Sequence, residues 1–447
     1  MAPSSVAMAP LGWLGIARLG LVQSAIGAVV MLATSLLNRI MVVEYVQAAA
    51  LPAGLVAFHY AVQLTRPKWG HGSDMGRRRT PWIIGGMAVL SGGGLLATQA
   101  TLMLSGGLMP ALLLAIAAYA LIGAGVGAAG TSLLALLATR TAEARRPAAA
   151  ALTWIMMILG IVVTATTAGK LLEPYSPERL FEVAAGVALG AFALALLAVT
   201  GIEGARGGAT DEEAPVVKAK FADAVRGIWG DSLTRLFTIF VFVSMLAYAM
   251  QDLILEPFAG LVFGMTPGQS TQLSGLQHAG VLLGMILVGV GGHGFAGRGS
   301  ARFAGLKLKR WIIGGCLGSA VALAGLAMAA NSGGDWPLEP TVFVLGFANG
   351  VFAVAAIGSM MDLAGRGGPG LEGIRMGLWG ASQAMAFGLG GFFGASAVDA
   401  GRALLGADGP AFELVFAFEA LIFIAAAGIA VRLNSGTEAA STRELMA

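Results

Sequence analysis

The stretch GHGSDMGRRRTPWIIGG at residues 70–86 returns later in the chain as GHGFAGRGSARFAGLKLKRWIIGG at residues 292–315. Both copies begin with Gly-His-Gly, end with Trp-Ile-Ile-Gly-Gly and stand between two long apolar runs. A further match supports the repeat, because Leu-Thr-Trp at 152–154 and Gly-Leu-Trp at 377–379 each open a later apolar run. The sequence therefore predicts two copies of one structural unit.

The composition places these copies in a membrane. Of the 447 residues, 57% are hydrophobic and 11% are charged, which leaves too few charges to cover the outside of a soluble protein of this size. Many apolar runs exceed about 18 residues, the length that crosses a hydrocarbon core of about 30 Å as a helix. The runs are continuous rather than alternating, so helices are favoured over strands. We predict an all-α polytopic membrane protein.

Twelve transmembrane helices are predicted, in two six-helix repeats, which is the plan of the major facilitator superfamily. The cytoplasmic N-terminus (1–18) precedes an N-terminal six-helix half (19–201). A polar cytoplasmic linker (202–234) leads to the C-terminal six-helix half (235–432) and a cytoplasmic tail (433–447). The predicted spans are 19–43, 50–69, 82–104, 109–138, 149–171, 180–201, 235–257, 271–293, 311–330, 341–361, 373–397 and 411–432.

Lysine and arginine set the predicted orientation. Most of the 27 Lys and Arg residues fall after even-numbered spans or in the two termini. The segments on the other side hold only Lys170, Arg179 and Arg402. Because positive residues are retained on the cytoplasmic side, both termini are predicted to be cytoplasmic. The net charge is +3, but in a membrane protein the location of the charges matters more than their balance, so no nucleic acid partner is predicted.

The loop between spans 2 and 3 carries a near match to the superfamily pattern G-x-x-x-D-x-x-G-R-R. The matching residues are Gly70, Asp74, Gly76, Arg77 and Arg78, with the second glycine one place early. Glycines permit a sharp turn, and arginines complement the negative end of the helix that enters the loop. These charges either anchor the topology alone or also form, through Asp74, a conformation-dependent cytoplasmic gate. The second copy lacks the aspartate.

Charged side chains inside the spans are further candidates, because they are costly in a bilayer and usually functional. Arg39 and Glu44 lie near the outer end of span 1. Gln251, Asp252 and Glu256 lie near the outer end of span 7, the counterpart of span 1 in the repeat. We predict that Arg39 pairs with Asp252 or Glu256. The alternative is that Arg39 extends to the outer membrane interface.

Three more polar residues lie within predicted spans. Glu419 is about eight residues, or on the order of 12 Å, inside span 12. It either packs as a protonated hydrogen-bonding group or forms a functional site. His59 and His278 lie in spans 2 and 8. Each either ligates the magnesium of a chlorin pigment or makes a hydrogen bond between helices.

Glycine pairs with the spacing G-x-x-x-G occur at Gly123 and Gly127 in span 4 and at Gly390 and Gly394 in span 11. Small residues at this spacing allow two helices to approach closely. Close packing within the helix bundle is therefore expected. The alternative is a flat slot for a planar ligand or a partner helix.

The sequence argues against an enzyme. It offers no Ser/His/Asp set, phosphate-binding loop or paired carboxylates. The single cysteine, Cys316, lies in an apolar run, and no metal-ligand spacing occurs. No catalytic residue and no metal site are predicted. Few carboxylates or histidines lie near the middle of the spans, which weakens proton- or sodium-coupled transport of a small solute.

Four stretches resemble the PucC-type proteins of photosynthetic bacteria, the bacteriochlorophyll delivery branch of the major facilitator superfamily. They are LNRIMVVE (37–44), RPKWGHGSDMGRRRTPWIIGG (66–86), QDLILEPFAG (251–260) and GLWGASQAMAFGLGG (377–391). The third is the most specific, since the loop pattern is shared across the superfamily. The stretch HYAVQ (59–63) favours a branch linked to pigment synthesis over the branch that serves the peripheral antenna.

The resemblance implies a role in assembling light-harvesting or reaction-centre complexes. The cargo would be bacteriochlorophyll or the apoprotein helices, and the partners would be the light-harvesting and reaction-centre polypeptides, bacteriochlorophyll synthase and the lipid bilayer. It also implies the bacterial inner, intracytoplasmic photosynthetic membrane. Two alternatives remain: a small-solute exporter of the same fold, and an assembly chaperone that binds antenna polypeptides but no free pigment.

Overall fold

The computed structural model describes residues 11–66, 69, 78–142, 145–203, 231–294, 301–332, 336–365 and 372–446. Regular structure within these ranges is entirely helical. We number its principal helices α1 (Trp13–Met31), α2 (Ala50–Gln63), α3 (Thr80–Leu102), α4 (Leu108–Arg140), α5 (Arg146–Leu171), α6 (Pro177–Val199), α7 (Ser232–Phe263), α8 (Pro267–Gly294), α9 (Ala301–Ala329), α10 (Leu338–Gly365), α11 (Glu372–Leu405) and α12 (Asp408–Met446). One helix matches each predicted span.

The helices have the length and surface of membrane spans. Ten helical segments of the described ranges are long and apolar enough to cross a membrane. Large aliphatic side chains cover their outer faces, and Leu113, Leu189, Val321 and Leu421 each expose more than half of their surface. Apolar exposure on this scale is unusual in water but suits contact with lipid tails. The predicted membrane class is confirmed.

Internal contacts divide the chain into two units. The first unit comprises Met1–Gln47, Gly54–Ala214 and Thr266–Gly275, and the second comprises Ala48–Ala53, Pro215–Met265 and Leu276–Ala447. The change between units at Ala214 falls inside the predicted linker. The linker bounds 202–234 stay a prediction, because residues 204–230 lie outside the described ranges.

The same packing scheme occurs within each unit. In the first unit α1 packs on α5 and α6, and α3 packs on α4 and α6. In the second unit α7 packs on α11 and α12, and α9 packs on α10 and α12. Adding six to each helix number of the first set gives the second set. The internal repeat inferred from the Gly-His-Gly stretches is therefore present in the fold.

The first helix is the most enclosed element of the first unit. In the apolar window of the span Trp13–Glu44, 83% of the residues are buried, whereas the corresponding shares are 28% for α5 and 33% for α6. Near its C-terminal end this span buries two neighbouring polar residues, Asn38 and Arg39. Burial of a cation in a membrane span requires a compensating partner. The polar end of this helix is therefore a candidate site.

Candidate functional site

Arg39 forms an ion pair inside its own helix. Its Nη1 lies 2.5 Å from Oε1 of Glu44, and the side chains are 2% and 34% exposed. In an α-helix a residue five positions on points about 140° away, so such a pair would not meet. Here Ile40–Glu44 is π-helical, with the Tyr45 N–H bonded to the carbonyl oxygen of Ile40. The i to i+5 register of the π-helix brings the two side chains together.

The irregularity of this helix is extended, because a second π-helical segment, Leu32–Leu36, precedes it. Between the two lies the short α-helical piece Leu37–Arg39. π-Helical turns are rare and frequently occur at functional sites. The predicted pairing of Arg39 with Asp252 or Glu256 concerns residues of different units and stays a prediction.

The three polar residues predicted on span 7 lie in α7, in the turns around Pro257. Gln251 and Glu256 are buried, and Asp252 is half-buried. Asp252 lies close enough to His278 of α8 for their charges to interact. The second predicted pigment ligand is therefore the neighbour of a carboxyl group. Its role in binding pigment stays a prediction.

His59 heads a polar chain along α2. Its Nε2 lies 2.9 Å from Nε2 of Gln63, and Oε1 of Gln63 accepts a hydrogen bond from Arg66. When Gln63 donates, it uses the Nε2 lone pair that a pigment magnesium would need. Ligation of magnesium through Nε2 would therefore require displacement of Gln63, whereas Nδ1 of His59 has no hydrogen-bond partner among the described residues. Gln63 lies on the same helix as His59, so the choice between a pigment ligand and a hydrogen bond between helices stays a prediction.

The G-x-x-x-G pairs are close helix contacts. A β-carbon added at Gly123 of α4 would lie 2.6 Å from the carbonyl oxygen of His59. In the second unit, a β-carbon at Gly390 of α11 would lie 2.6 Å from the carbonyl oxygen of Leu246, and Gly394 is similarly enclosed. Real β-carbons do not approach backbone so closely, so these glycines are needed for packing. The packing interpretation is confirmed at Gly123, Gly390 and Gly394, whereas a β-carbon at Gly127 would lie 3.2 Å from the side chain of Trp69.

The loop motif is described only in part. Gly70, Asp74, Gly76 and Arg77 lie outside the described residues, and Arg78 is exposed. Whether the motif acts as an anchor alone or as a gate stays a prediction. The third arginine of the run, Arg79, has described contacts instead.

Three side chains join helix ends on the predicted cytoplasmic side of the first unit, and we call them the inner-end network: Arg18, Arg79 and Glu203. Arg18 Nε donates to the carbonyl oxygen of Ala198 at 3.0 Å, at the end of α6. Arg79 Nη1 donates to the carbonyl oxygen of Ala135 at 2.9 Å, near the end of α4. Cations at helix C-termini satisfy free carbonyls and complement the helix dipole.

Glu203 caps the start of α3. Its two carboxylate oxygens accept from the backbone N–H groups of Arg79 and Thr80, at 2.9 and 2.8 Å. Burial alone would raise the pKa of this carboxyl group. The hydrogen bonds from Thr80 and from the backbone of Arg79, together with the Arg79 charge, outweigh burial and lower the pKa below its ordinary value. Glu203 is therefore ionised at neutral pH and joins the start of α3 to the end of α6.

Glu203→Gln is expected to lower the stability of the protein by about 1 kcal/mol at neutral pH, the typical loss of a helix cap. Since the folded-state pKa is depressed, the stabilisation is full above the unfolded-state pKa and is lost as the pH falls through the folded-state value. Wild type should therefore begin to lose its advantage over the variant below about pH 4.5, the ordinary glutamate pKa, and lose it completely only at a lower pH. Thermal unfolding in detergent at several pH values measures this.

The matched control for this prediction is Glu182→Gln. Glu182 is an exposed acid on α6, the helix that precedes Glu203. It should leave both the stability and its pH dependence nearly unchanged. Equal acid dependence of wild type and Glu203→Gln would contradict the capping role.

An apolar groove lies beside the inner-end network, between α3 and α4. Its volume is about 300 Å³. Trp69 and Trp82 line it with ring centroids 6.3 Å apart, and Gly85, Val89 and Ala124 line it further along the helices. Space beside Gly85 is open, with no atom within 4 Å of an added β-carbon. Flat aromatic rings and glycine together form a slot that suits a planar or chain-like apolar ligand.

Sequence reasoning missed several of these features. Glu203 has the weakest sequence signal, since it is one of several acids in a polar linker. The groove had a signal in the two tryptophans that flank the loop, Trp69 and Trp82. Within the described ranges, no group of three or more His, Cys, Asp or Glu side chains could hold a metal ion.

Comparison with solved structures shows the fold. The chain aligns with the nucleoside transporter NupG at a TM-score of 0.65 and 13% identity, covering 94% of this chain and 99% of NupG. It aligns with a bacterial homologue of the lysosomal transporter Spinster at a TM-score of 0.64 and 15% identity, covering 94% of both chains. At identities this low, the likeness shows the fold, which is the major facilitator architecture, and nothing about function.

Comparison of sequences shows the family. The model of the family described as PUCC protein matches residues 36–438. "Bacteriochlorophyll synthase 44.5 kDa chain" of Rhodobacter capsulatus is 50% identical over 98% of this chain and 99% of its own length. "Protein PucC" of Rhodobacter capsulatus is 31% identical over 93% of this chain and 91% of its own length. With the family model covering most of the chain, the resemblance seen in its motifs is confirmed, and the protein belongs to the PUCC protein family.

Proposed function

We propose that the protein is an assembly factor for photosynthetic light-harvesting and reaction-centre complexes that handles bacteriochlorophyll in the membrane. The observation that carries this proposal is the 50% identity, over 98% of the chain, to a relative named for bacteriochlorophyll synthase. Identity to a protein named PucC is lower, at 31%. This difference supports the branch linked to pigment synthesis, which the HYAVQ stretch also favours.

The groove of the first unit supports pigment handling. Bacteriochlorophyll has a planar ring and a long hydrocarbon tail, so it already partitions into the bilayer. The useful task is then capture and presentation. A slot of about 300 Å³ with Trp69, Trp82 and Gly85 in its lining has room for the edge of the ring or for the tail, and lies within the size range of ligand pockets.

A non-enzymatic role is part of the proposal. The relative's name contains the word synthase, but this chain has the architecture of transporters, and its sequence offers no catalytic constellation. We place it as a partner of bacteriochlorophyll synthase and of the antenna and reaction-centre polypeptides. We propose that it is located in the intracytoplasmic photosynthetic membrane, with both termini in the cytoplasm.

The experiment uses a deletion strain complemented with three genes: wild type, Gly85→Leu and Gly92→Leu. Gly85 lines the groove, whereas Gly92 lies two turns further along α3 and does not. Neither position has an atom within 4 Å of an added β-carbon, so both substitutions should fold. Wild type and Gly92→Leu should restore mature complexes and co-purify with pigment. Gly85→Leu, which fills the groove, should lose both. Membrane absorption spectra and the spectrum of the purified protein give the readouts.

Other outcomes separate the alternative functions. Normal complex levels in the deletion strain would overturn the assembly role. A colourless purified protein that still captures antenna polypeptides would support a chaperone without free pigment. Flux of a small solute into vesicles that contain the purified protein would support the exporter.

A further inference from the structure

Four polar side chains on four helices of the second unit are completely buried. They are Gln251 of α7, Ser319 of α9, Asn349 of α10 and Glu419 of α12, and each is 0% exposed. We call them the buried polar layer. Because α9 packs on α10 and α12, and α7 packs on α12, each of the four helices contacts at least one other helix of the set within this unit.

Aromatic contacts fix the depth of this layer on two sides. Toward one end of α7, Phe258 contacts Phe416 of α12 with ring centroids 5.0 Å apart. Toward the other end, Tyr248 contacts Phe352 of α10 at 6.4 Å, and Phe352 contacts Phe423 of α12 at 5.5 Å. Rising numbers on α7 thus meet falling numbers on α12, so the two helices run antiparallel.

Helical periodicity places the polar residues between these aromatic contacts. Gln251 follows Tyr248 by one turn and precedes Phe258 by two turns. Glu419 follows Phe416 by one turn and precedes Phe423 by about one more, on the same face of α12.

On the remaining two helices the same level is occupied by a bonded pair. Asn349 lies one turn before Phe352 on α10. Its Oδ1 accepts a hydrogen bond of 2.8 Å from Oγ of Ser319. The polar layer therefore has aromatic side chains on both sides.

The layer has more polar atoms than direct hydrogen bonds. Within the described residues, neither carboxyl oxygen of Glu419 and neither amide atom of Gln251 has a hydrogen-bond partner. Nδ2 of Asn349 has no partner there either. Buried polar groups in proteins are nearly always paired, with protein or with ordered water. These atoms therefore indicate a bound species that contacts several of them.

We propose that the buried polar layer is a binding site for water and a proton, with Glu419 held as the neutral carboxylic acid and linked through water to the amides of Gln251 and Asn349. An ionised carboxylate without a direct partner would cost far more to bury than a neutral acid. The acid supplies an O–H donor and a carbonyl acceptor, and the amides supply donors and acceptors. A water molecule needs two to four such partners.

Two ionisable residues near the layer in sequence, Cys316 and Asp252, do not supply its acid, so this role falls to Glu419. Cys316 lies one turn before Ser319 and is buried, but its thiol carries no charge when neutral. Asp252, next to Gln251 in sequence, is placed near His278 instead. The proton on Glu419 can be released only when the four helices separate enough to admit bulk water. The protein can thus bind and release a proton at Glu419, although its proposed cargo carries no charge.

Infrared difference spectroscopy of the purified protein tests this proposal. Wild type minus Glu419→Gln should show the C=O band of a hydrogen-bonded carboxylic acid, shifted in heavy water. The amide in Glu419→Gln keeps a donor and an acceptor, so the fold should be retained. Gln251→Leu should shift the position of the acid band, because it removes one end of the water link. Glu413→Gln, which alters an exposed acid of the same helix, should leave the band unchanged.

Two results would overturn the proposal. A carboxylate band in place of the acid band would show that Glu419 is ionised. An acid band at the frequency of a free carboxyl, unmoved by Gln251→Leu, would show that no water links the layer. Should Glu419→Gln fail to fold, the shift of the wild-type acid band in Gln251→Leu decides between the same outcomes.

Discussion

Gly284→Ala is expected to destabilise the protein by about 3 kcal/mol, the upper end of the cost of overpacking. A β-carbon at Gly284 of α8 would collide with the carbonyl oxygen of Phe347 and lie 2.9 Å from the backbone nitrogen of Val351, both on α10. Backbone atoms cannot move aside as a flexible side chain can, so α8 and α10 must separate over several residues.

The contact between α8 and α10 is reciprocal, which is why the expected effect is large. Gly280 of α8 lies against the carbonyl oxygen of Phe343, as Gly284 does against that of Phe347. In turn, Gly346 and Gly350 of α10 lie against carbonyl oxygens of α8. One added methyl group therefore disturbs the neighbouring glycine contacts too.

Gly289→Ala is the matched control, because Gly289 lies on the same helix with no atom within 4 Å of an added β-carbon. There alanine should be neutral or stabilising by about 0.5–1 kcal/mol, since it favours the helical backbone. Thermal and denaturant unfolding in detergent compare the two variants. Equal stability of Gly284→Ala and wild type would contradict the backbone contact between α8 and α10.

The second large effect concerns the ion pair of the π-helical segment. Glu44→Gln is expected to cost about 3 kcal/mol, because it removes the negative charge that is ion-paired with the buried guanidinium of Arg39. Arg39→Met should cost less, about 1 kcal/mol, since Glu44 can turn to water and an exposed charge loses little by the change. The asymmetry follows from the exposures of the two side chains, 2% for Arg39 and 34% for Glu44.

A double-mutant cycle measures the pair directly. Arg39→Met combined with Glu44→Gln should be as stable as Arg39→Met alone, so the coupling energy should be close to the full cost of Glu44→Gln. The cycle also bears on the predicted partners in α7. If Asp252 or Glu256 neutralised Arg39 instead, Glu44→Gln would be nearly neutral, and an Asp252 or Glu256 variant would show the coupling.

The helices were predictable because their signal is local. Each long apolar run corresponds to one helix. The repeated Gly-His-Gly stretches correctly predicted the packing scheme that both units share. The packing role of the glycines at 123, 390 and 394 could also be assigned correctly, since close packing is the usual role of that spacing in membranes. These features depend on residues near one another in sequence.

The candidate site was less predictable because it depends on register and on distant parts of the chain. Arg39 and Glu44 are five residues apart, and in an α-helix residues at this spacing point to different faces. The sequence does not predict the π-helical turn that brings the two side chains together. Glu203 caps a helix that begins more than a hundred residues earlier. Helix caps are usually sought in adjacent residues, so a carboxylate from another helix end escapes notice.

The four interlocking glycines of α8 and α10 have a consequence for motion. Where helices meet through side chains, rotamer changes allow small sliding and rolling movements. Between these two helices backbone atoms contact backbone atoms directly. A shift of either helix along its axis would therefore push its carbonyl oxygens into the backbone of the other helix. We therefore expect α8 and α10 to move only together, as one rigid body. Any rearrangement inside the second unit must then leave the contact between these two helices unchanged.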